Sequence, residues 1–551
     1  MPERADSRSG APAGDASRPA RGRGRTSRPQ ASPDESSRAD RSADGGRTPR
    51  VVVGGTPAAL VCADALGAAG VPVRWLAPER GVGRGFAPIP RDGRTLQLGV
   101  RLLELGYEDD PVPPPLDAYE PGTSGHRPYA RLIRSWTEEL CGERLREIAP
   151  PRVVLDGALL DDYLFTVDLT ALAAALPAAE RAEIAEQAGA AEERLGAAGL
   201  LASRVPGAGD APAAATDGRA PGAADPLGDR TLADASLANH GAAFHARLIE
   251  PLAAKFVPGG AQTILAAWRR KAWLPLFWPR TVREAFAGEP VAFAPRRTFH
   301  ELDPGGVGGL IEALERRIAG HASVERVPVG ALQRIESRGG GPAGAASRDD
   351  RAHGDRTART RGANGGARLR LAFDGGHVED AHNPALGVPA AELLKAAGIE
   401  AAVERVRTVI AWIEADASAL PDGVDLVHVL DPDNPVARVS SGSTTPDPAR
   451  KLLAVELRHD QPEETAARDA IAGLQATGLL KGGDPQPIHQ GAMATLPIPS
   501  AQTRARLAAA TAELHARELH AHLLGGALEP GADSLNEQIV QGLRAAETLQ
   551  R

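Results

Sequence analysis

Three valines followed by two glycines, Val51 to Gly55, constrain the fold of this chain more than any other feature. An apolar run that ends in glycine is typical of a buried strand that leads into a tight turn. The following segment, Ala58 to Ala69, is rich in small residues and predicts a helix, which Gly70 ends. A second apolar run, Val71 to Leu76, predicts another strand. The resulting β-α-β unit of about 30 residues predicts an α/β fold with parallel strands.

The glycine turn predicts a site for an anion. Backbone N–H groups at a helix N-terminus lack partners within the helix, and the helix dipole adds positive charge there. Against the pattern G-x-G-x-x-G of Rossmann folds, Gly54 keeps the first glycine, whereas Thr56 and Ala59 replace the second and third. We therefore predict that Gly54, Gly55, Thr56, Ala58 and Ala59 form a dinucleotide-binding loop in which the Thr56 side chain crowds the phosphates.

The residue that would bind a ribose is displaced in this chain. A carboxylate is expected at the end of the second strand, but Ala77 occupies that place. Glu79 follows two residues later, beyond Pro78. Either Glu79 reaches back to the ribose or this hydrogen bond is absent.

The composition bounds the class of protein. A chain of 551 residues predicts two domains with additional segments, because one domain usually has about 100 to 200 residues. A net charge of -8 gives no electrostatic reason to expect a nucleic-acid partner. The two cysteines, Cys62 and Cys141, are too few for a disulfide framework, which favours a reducing compartment.

We expect a cytoplasmic protein without an integral membrane segment. The apolar stretch from Val51 to Val71 contains Pro57 and Asp64, which suits a strand, a turn and a helix better than a membrane span. Residues 1–49 lack the apolar core of a secretion signal. Their composition predicts a disordered tail, and similar segments at 204–229 and 338–367 predict disordered loops. The sequence does not determine the oligomeric state.

Farther along the chain, the hydrophobic pattern changes between helical and strand periods. The helical period covers residues 169–201, 232–255, 501–524 and 535–549. The strand period covers residues 324–335, 369–378, 406–414 and 451–458. These predicted elements continue the α/β character of the first unit.

Four further segments carry motifs in a definite order. They are an Arg and Gly-rich loop directly after the second strand (80–85), a Gly-rich helix start (304–310), a small predicted meander (331–376) and a Gly and Pro turn ahead of a helix (525–543). In this order they resemble the FAD-linked amine oxidase superfamily, which includes protoporphyrinogen oxidase, phytoene desaturase and, more distantly, UDP-galactopyranose mutase. The resemblance spans most of residues 50–551.

The resemblance implies FAD as the cofactor and a Rossmann-like FAD-binding domain assembled from residues 50–110, 291–390 and 501–551. It also implies an inserted mixed α+β substrate domain, mostly helical over 111–290 and strand-rich over 391–500. Further cofactor contacts are implied for the loop after the second strand, the strand near the adenine and the last helix start: Glu79, Arg80, Gly83, Arg84, Val327, Gly526, Ser534, Leu535 and Asn536.

The function that the resemblance implies is a flavin-dependent oxidoreductase acting on an unidentified small molecule, and it identifies no catalytic residue. Two alternatives stay open. One is an isomerase that resembles UDP-galactopyranose mutase and acts on a sugar nucleotide. The other is a non-catalytic relative that keeps the fold for binding or assembly, with FAD affinity reduced by Thr56 and Ala77.

Candidates for a substrate site come from the residue types. Aromatic and cationic residues crowd into residues 268–280, and Trp273, Trp278 and Arg280 are candidates for binding an anionic, partly apolar molecule. The alternative is core packing with solvated cations. Arg438 either binds an acidic substrate group or forms a surface salt bridge. We predict no metal site, because the His-rich segment 515–522 lacks the spacing of zinc ligands.

Overall fold

The computed structural model describes residues 48–100, 102–107, 110–119, 126–161, 169–204, 227–291, 298–302, 306–338, 368–526, 528 and 532–551. Pro49–Arg551 form one unit by their internal contacts. The predicted disordered tail, 1–49, lies outside the described residues except for its last two positions. Nearly all of the predicted loops 204–229 and 338–367 also lie outside them.

The predicted β-α-β unit is confirmed and lies in a parallel sheet. It consists of β1 (Arg50–Gly54), α1 (Pro57–Ala68) and β2 (Val73–Pro78). Among the described residues, the sheet has five strands in the order β10 (Val324–Val329), β2, β1, β14 (Ala385–Gly387), β20 (His522–Leu523). All four pairings are parallel. The early, middle and late parts of the chain therefore each supply strands, as predicted.

The two faces of the parallel sheet carry separate cores because side chains alternate along a strand. Val52 packs on one side, with helices α1, α2 (Ala130–Cys141), α10 (Gly306–Gly320) and α14 (Leu535–Gln550). Val51 and Val53 pack on the other side, against the strands and helices β11 (Leu332–Arg338), β12 (Arg368–Phe373), β13 (Val378–His382), α11 (Ala390–Ala396) and α13 (Ala501–Ala516). Each buried valine contributes about 1.5–3 kcal/mol to folding.

A second, mixed sheet is built mainly from the strand-rich part of the chain. Within the described ranges it has seven strands, in the order β19 (Gln486–Pro497), β15 (Arg405–Asp416), β18 (Arg450–Leu457), β17 (Val436–Ser443), β16 (Leu426–Val429), β7 (Arg152–Leu155) and β8 (Ala158–Leu160). The predicted strands at 406–414 and 451–458 are β15 and β18. Helix α12 (Ala466–Ala476) covers one face of this sheet.

A helical layer packs against the other face of the mixed sheet. It contains α3 (Thr170–Ala174), α4 (Ala178–Leu195), α5 (Leu232–His240), α6 (Ala242–Phe244), α7 (Glu250–Phe256), α8 (Gly260–Thr263) and α9 (Pro279–Ala287). The remaining strands are β3 (Ile89–Arg91), β4 (Arg94–Leu96), β5 (Leu103–Leu105), β6 (Leu145–Glu147) and β9 (Thr298–Leu302).

Three predicted helices are shorter than their hydrophobic periods suggested. The pattern over 169–201 is divided into α3 and α4, because Pro177 has an extended backbone and precedes the first residue of α4. The pattern over 232–255 is interrupted at Gly241, whose φ of 86° is not helical. The pattern over 501–524 ends at Ala516, after which Glu518 takes a left-handed φ of 56° and the chain enters β20.

Helices α1 and α14 approach each other closely at Gly542. A Cβ atom at this position would lie 2.6 Å from the carbonyl oxygen of Ala58 and 2.6 Å from Cβ of Val61. No side chain fits at that distance without moving one helix. The contact therefore fixes the last helix of the chain against the first.

We expect Gly542→Ala to destabilise the protein by about 1–3 kcal/mol, because the added methyl forces the two helices apart. Gly320→Ala is the matched control, since a Cβ at the end of α10 would meet nothing within 4 Å. Urea unfolding of both variants measures the effect. Equal stability of the two variants would show that the α1–α14 contact is not tight.

Candidate functional site

A cavity of about 560 Å³ lies at the carboxyl ends of the parallel strands. Ligands of open α/β sheets usually bind at this edge, and the volume is in the range of small-molecule sites. Segments that follow β1, β2, β14 and β20 line one end of the cavity, and the first turn of α14 lines its side. The face of the mixed sheet and residues around α7 line the other end. One space therefore connects the β1–α1 turn with the second sheet.

The β1–α1 turn has the predicted glycine geometry, but side chains of the protein already accept hydrogen bonds from backbone N–H groups of the first turn of α1. Gly54 has a φ of 99°, and a Cβ there would lie 2.1 Å from the carbonyl oxygen of Gly387. Thr56 is the N-cap of α1, and its Oγ1 accepts a hydrogen bond from the Ala59 N–H at 3.3 Å. The Ala58 N–H donates to Oε1 of Gln538 at 3.4 Å. Side chains of the protein thus satisfy two donors of the predicted anion site.

The Thr56 side chain occupies a space left by two glycines. A Cβ at Gly387 would lie 2.4 Å from Oγ1 of Thr56, and one at Gly525 would lie 3.0 Å from its Cγ2. Threonine is therefore accommodated at the second glycine position of the motif by small residues after β14 and β20. Thr56 also borders the cavity.

The loop after β2 lies against the same turn. The Gly83 N–H donates to the carbonyl oxygen of Gly55 at 2.7 Å. Arg84 borders the cavity and pairs with Glu392 at 3.2 Å. Glu79 and Arg80 are exposed beyond the end of β2 and are not part of the cavity wall. Their proposed contacts with a ribose and a pyrophosphate therefore stay predictions on the open edge of the sheet.

Val327 lies in β10, in register with Leu76 of the neighbouring strand β2. It is half-buried and does not border the cavity. Ala77, where the ribose-binding carboxylate was expected, is fully buried. An acid introduced at this position would have to be accommodated in the core.

The N-terminus of α14 points its first turn at the cavity. Ser534 is the N-cap and accepts a hydrogen bond from the Glu537 N–H at 3.2 Å. Gly526, Ser534, Leu535 and Asn536, which were predicted to contact the cofactor, all border the cavity. Asn536 Nδ2 also donates to the carbonyl oxygen of Glu104 in β5. Of the predicted residues of the β1–α1 turn, Thr56 alone borders the cavity, so the cavity brings Thr56 together with the start of the last helix.

A buried polar network that the sequence did not reveal surrounds Glu537. The Tyr119 hydroxyl donates to its carboxylate, and His126 Nδ1 lies 3.2 Å from Oε1. His126 Nε2 lies 3.7 Å from the carboxylate of Glu104. Burial opposes the charged form of His126, but Glu104 and Glu537 outweigh it and raise the pKa of His126. Burial likewise opposes ionisation of Glu537, but the bond to His126 outweighs it and lowers the pKa of Glu537.

The mixed-sheet end of the cavity contains a buried ion pair under two aromatic rings. Arg438 Nε and Nη2 donate to Glu456 at 2.9 and 2.6 Å. The guanidinium carbon lies 5.0 Å from the ring centre of Phe256 and 5.9 Å from that of Trp273. Lys255 Nζ donates to the carbonyl oxygens of Val429 and Val436, and burial lowers the pKa of Lys255 to about 7.

The structure separates the predicted substrate residues into two groups. Trp273 and Arg438 border the cavity together. Trp278 instead packs in a small hydrophobic cluster with Leu201 and Leu276. Arg280 lies on α9, which begins at Pro279, and pairs with Glu284 at 2.8 Å. The aromatic segment is therefore divided between the cavity wall and the core.

Among the described residues there is no metal-binding cluster and no membrane-spanning helix. There, no group of three or more His, Cys, Asp or Glu side chains is placed to hold a metal ion. Cys62 and Cys141 are buried thiols without a disulfide. No described helix combines the length and apolarity needed to cross a membrane.

The fit of FAD differs between the part of the site that would hold the flavin ring and the part that would hold the diphosphate. The cavity offers volume and the positive end of α14, which suit an isoalloxazine ring. At the diphosphate end, the small residues around Gly54 and the positive end of α1 are present. The Ala58 N–H is available to a phosphate once the Gln538 amide moves away. The residues therefore fit FAD with one displaceable side chain in the site.

We expect the free energy of unfolding to fall as the pH rises through the raised pKa of His126. The folded pKa lies above the unfolded value of about 6.5, so the stabilisation is complete below that value and is lost above the folded pKa. His126→Gln should remove this pH dependence and cost about 3–5 kcal/mol at pH 6, because it leaves Glu537 buried without its cation. Urea unfolding at pH 6 and pH 9 measures both effects.

The control for this experiment is His515→Gln, because His515 is exposed on α13. It should leave the pH dependence of unfolding unchanged. If His126→Gln keeps the wild-type pH dependence, the Glu537 network does not hold a proton on His126.

Comparison with known proteins places the fold. No protein-family model matches the chain, and no curated protein matches it. The structure of reduced UDP-galactopyranose mutase aligns with a TM-score of 0.59 at 14% identity, over 92% of this chain and 94% of that one. A protein from Exiguobacterium sp. 255-15, provisionally named a protoporphyrinogen oxidase, aligns with a TM-score of 0.51 at 16% identity, over 92% and 99%. At these identities the likeness concerns the fold alone, and this chain has the mixed α/β fold of these two solved structures.

Proposed function

We propose that this chain is a flavin-dependent oxidoreductase that binds FAD at the carboxyl edge of the parallel sheet and a small molecule at the mixed-sheet end of the same cavity. The observation that carries the proposal is the continuity of the cavity. It runs from Thr56 at the start of α1, past Ser534 at the start of α14, to Arg438 on the mixed sheet. A cofactor and a substrate that react with each other need such a shared space.

The residues proposed to hold FAD lie at the start of α1, after β2, within β10 and at the start of α14. Gly54, Gly55 and the first turn of α1 would receive the diphosphate, with Arg84 beside it. Glu79 and Val327 would lie along the adenosine on the open edge, as the resemblance implies. The first turn of α14 would place backbone N–H groups against the ring system. FAD, when bound, supplies the redox chemistry, while the protein orients both partners and excludes water.

The mixed-sheet end is proposed to bind the substrate. Phe256 and Trp273 form an apolar wall, and Arg438 and Glu456 provide charged groups of both signs beneath it. Buried ion pairs seldom add net stability, because removing both charges from water costs more than their attraction returns. The presence of this pair at a cavity wall therefore supports a role in recognition rather than in folding.

Binding of FAD can be measured directly. We expect FAD to raise the melting temperature of the purified protein and to lose fluorescence as it binds. At a concentration 100 times the Kd, binding adds about 2.7 kcal/mol to the free energy of unfolding. The flavoenzyme proposal would be refuted, and the non-catalytic alternative favoured, if the purified protein is colourless and added FAD changes neither the melting temperature nor its own fluorescence.

The role of the ion pair can be separated from the role of FAD. Arg438→Met or Glu456→Met alone should cost about 3–5 kcal/mol, because each leaves one charge buried without its partner. The double variant should be as stable as the wild type or more so, by up to about 4 kcal/mol. FAD affinity should not change in the double variant. A double variant that is less stable than either single variant would assign the pair to folding.

A further inference from the structure

The first turn of α1 has few backbone donors left for a ligand. Pro57 has no N–H group, and the Ala59 N–H is shared by the Oγ1 and carbonyl oxygen of Thr56. The Ala58 N–H is the next donor in the turn, and it donates a hydrogen bond to Oε1 of Gln538 at 3.4 Å. A diphosphate placed at the start of α1 therefore meets the Gln538 amide.

The Gln538 side chain is held against the start of α1 by the backbone just before its own helix, α14. The residue is 3% exposed, and its Nε2 donates to the carbonyl oxygen of Asp533 at 2.9 Å. The Asp533 carboxylate in turn pairs with Lys271 at 2.6 Å. All three residues border the cavity. The amide is thus a built part of the wall rather than a surface side chain that happens to lie nearby.

We propose that Gln538 competes with the FAD diphosphate for the start of α1 and so sets the affinity and selectivity of the site for FAD; this rests on the proposed function. One N–H group cannot donate fully to two acceptors, so FAD binds only when the amide leaves. A flavin without a diphosphate, such as riboflavin, has no group to place there and leaves Gln538 undisturbed. The residue therefore lowers the advantage of FAD over riboflavin.

The size of the effect follows from the bond that is exchanged. The net value of one neutral hydrogen bond corresponds to a change in Kd of about 2- to 10-fold. A phosphate oxygen forms a charge-assisted bond that is stronger than the long amide contact, so FAD prevails at sufficient concentration. An acidic side chain at this position would instead repel the diphosphate and bind the helix N-terminus itself.

The experiment is a fluorescence titration of FAD and of riboflavin into the wild type, Gln538→Ala and Gln538→Glu. We expect Gln538→Ala to lower the Kd for FAD by about 2- to 10-fold and to change that for riboflavin by less than about twofold. Gln538→Glu should raise the Kd for FAD by about tenfold or more. If Gln538→Ala fails to fold, Gln538→Asn replaces it in the test. The shorter asparagine side chain should lower the Kd for FAD in the same way.

Gln187→Ala is the matched control. Oε1 of Gln187 accepts a hydrogen bond from the Ala243 N–H at 2.9 Å, so it also caps a helix start, but in the helical layer. Its loss should leave both flavin affinities unchanged. If the wild type binds FAD, and folded Gln538→Ala or Gln538→Asn binds it with equal or lower affinity, the inference about Gln538 is wrong but the proposed function stands. Absence of FAD binding in every variant overturns the proposed function as well.

Discussion

The contact between the first and last helices is the constraint on which the site depends. Gly542 allows α14 to lie directly on the backbone of α1 at Ala58, and no larger residue fits there. Because α14 is fixed at its middle, its first turn lies beside the β1–α1 turn. Two helix N-termini from opposite ends of the chain then border one cavity. The site is thus a consequence of tertiary packing and not of the glycine loop alone.

Two buried charge systems give the cavity its polarity. At the α14 side, His126 lies between the carboxylates of Glu104 and Glu537. At the mixed-sheet side, Arg438 is paired with Glu456 beneath aromatic rings. Both arrangements satisfy most of their charge internally, so a ligand meets directional donors and acceptors rather than a strong net field. Such a cavity favours a molecule with polar groups at defined positions on an apolar body.

Sequence reasoning found the elements whose signal is local. The run from Val51 to Gly55 and the alternation in β15 and β18 report strands through their own residues. It did not find β14, because three residues carry no period, although this strand lies inside the sheet between β1 and β20. It also could not place Trp278 in the core and Trp273 on the cavity wall, since a turn of the chain at Trp273, with a φ of 58°, separates them.

The same limit applies to the site. Glu537 lies 411 residues after His126, and only the packing of α14 brings it to His126, which also faces Glu104. Gly526, Ser534, Leu535 and Asn536 border the cavity and were predicted because their turn and helix start form a local pattern. The cofactor contacts that the resemblance implies for them stay predictions. Lys255 and Gln538 carry no such pattern. Their positions depend on tertiary contacts, which leave no local pattern in the sequence.

Fold and cofactor occupancy depend on different residues in this chain. Gly54 and Gly542 are required by backbone contacts that exist with or without a ligand. Thr56 and Gln538 supply acceptors for the first N–H groups of α1. A helix N-terminus needs acceptors in every state, and a buried one left bare is costly. Internal caps therefore stabilise the ligand-free protein by the same bonds that a diphosphate must replace, which couples the stability of the empty site inversely to its affinity for FAD.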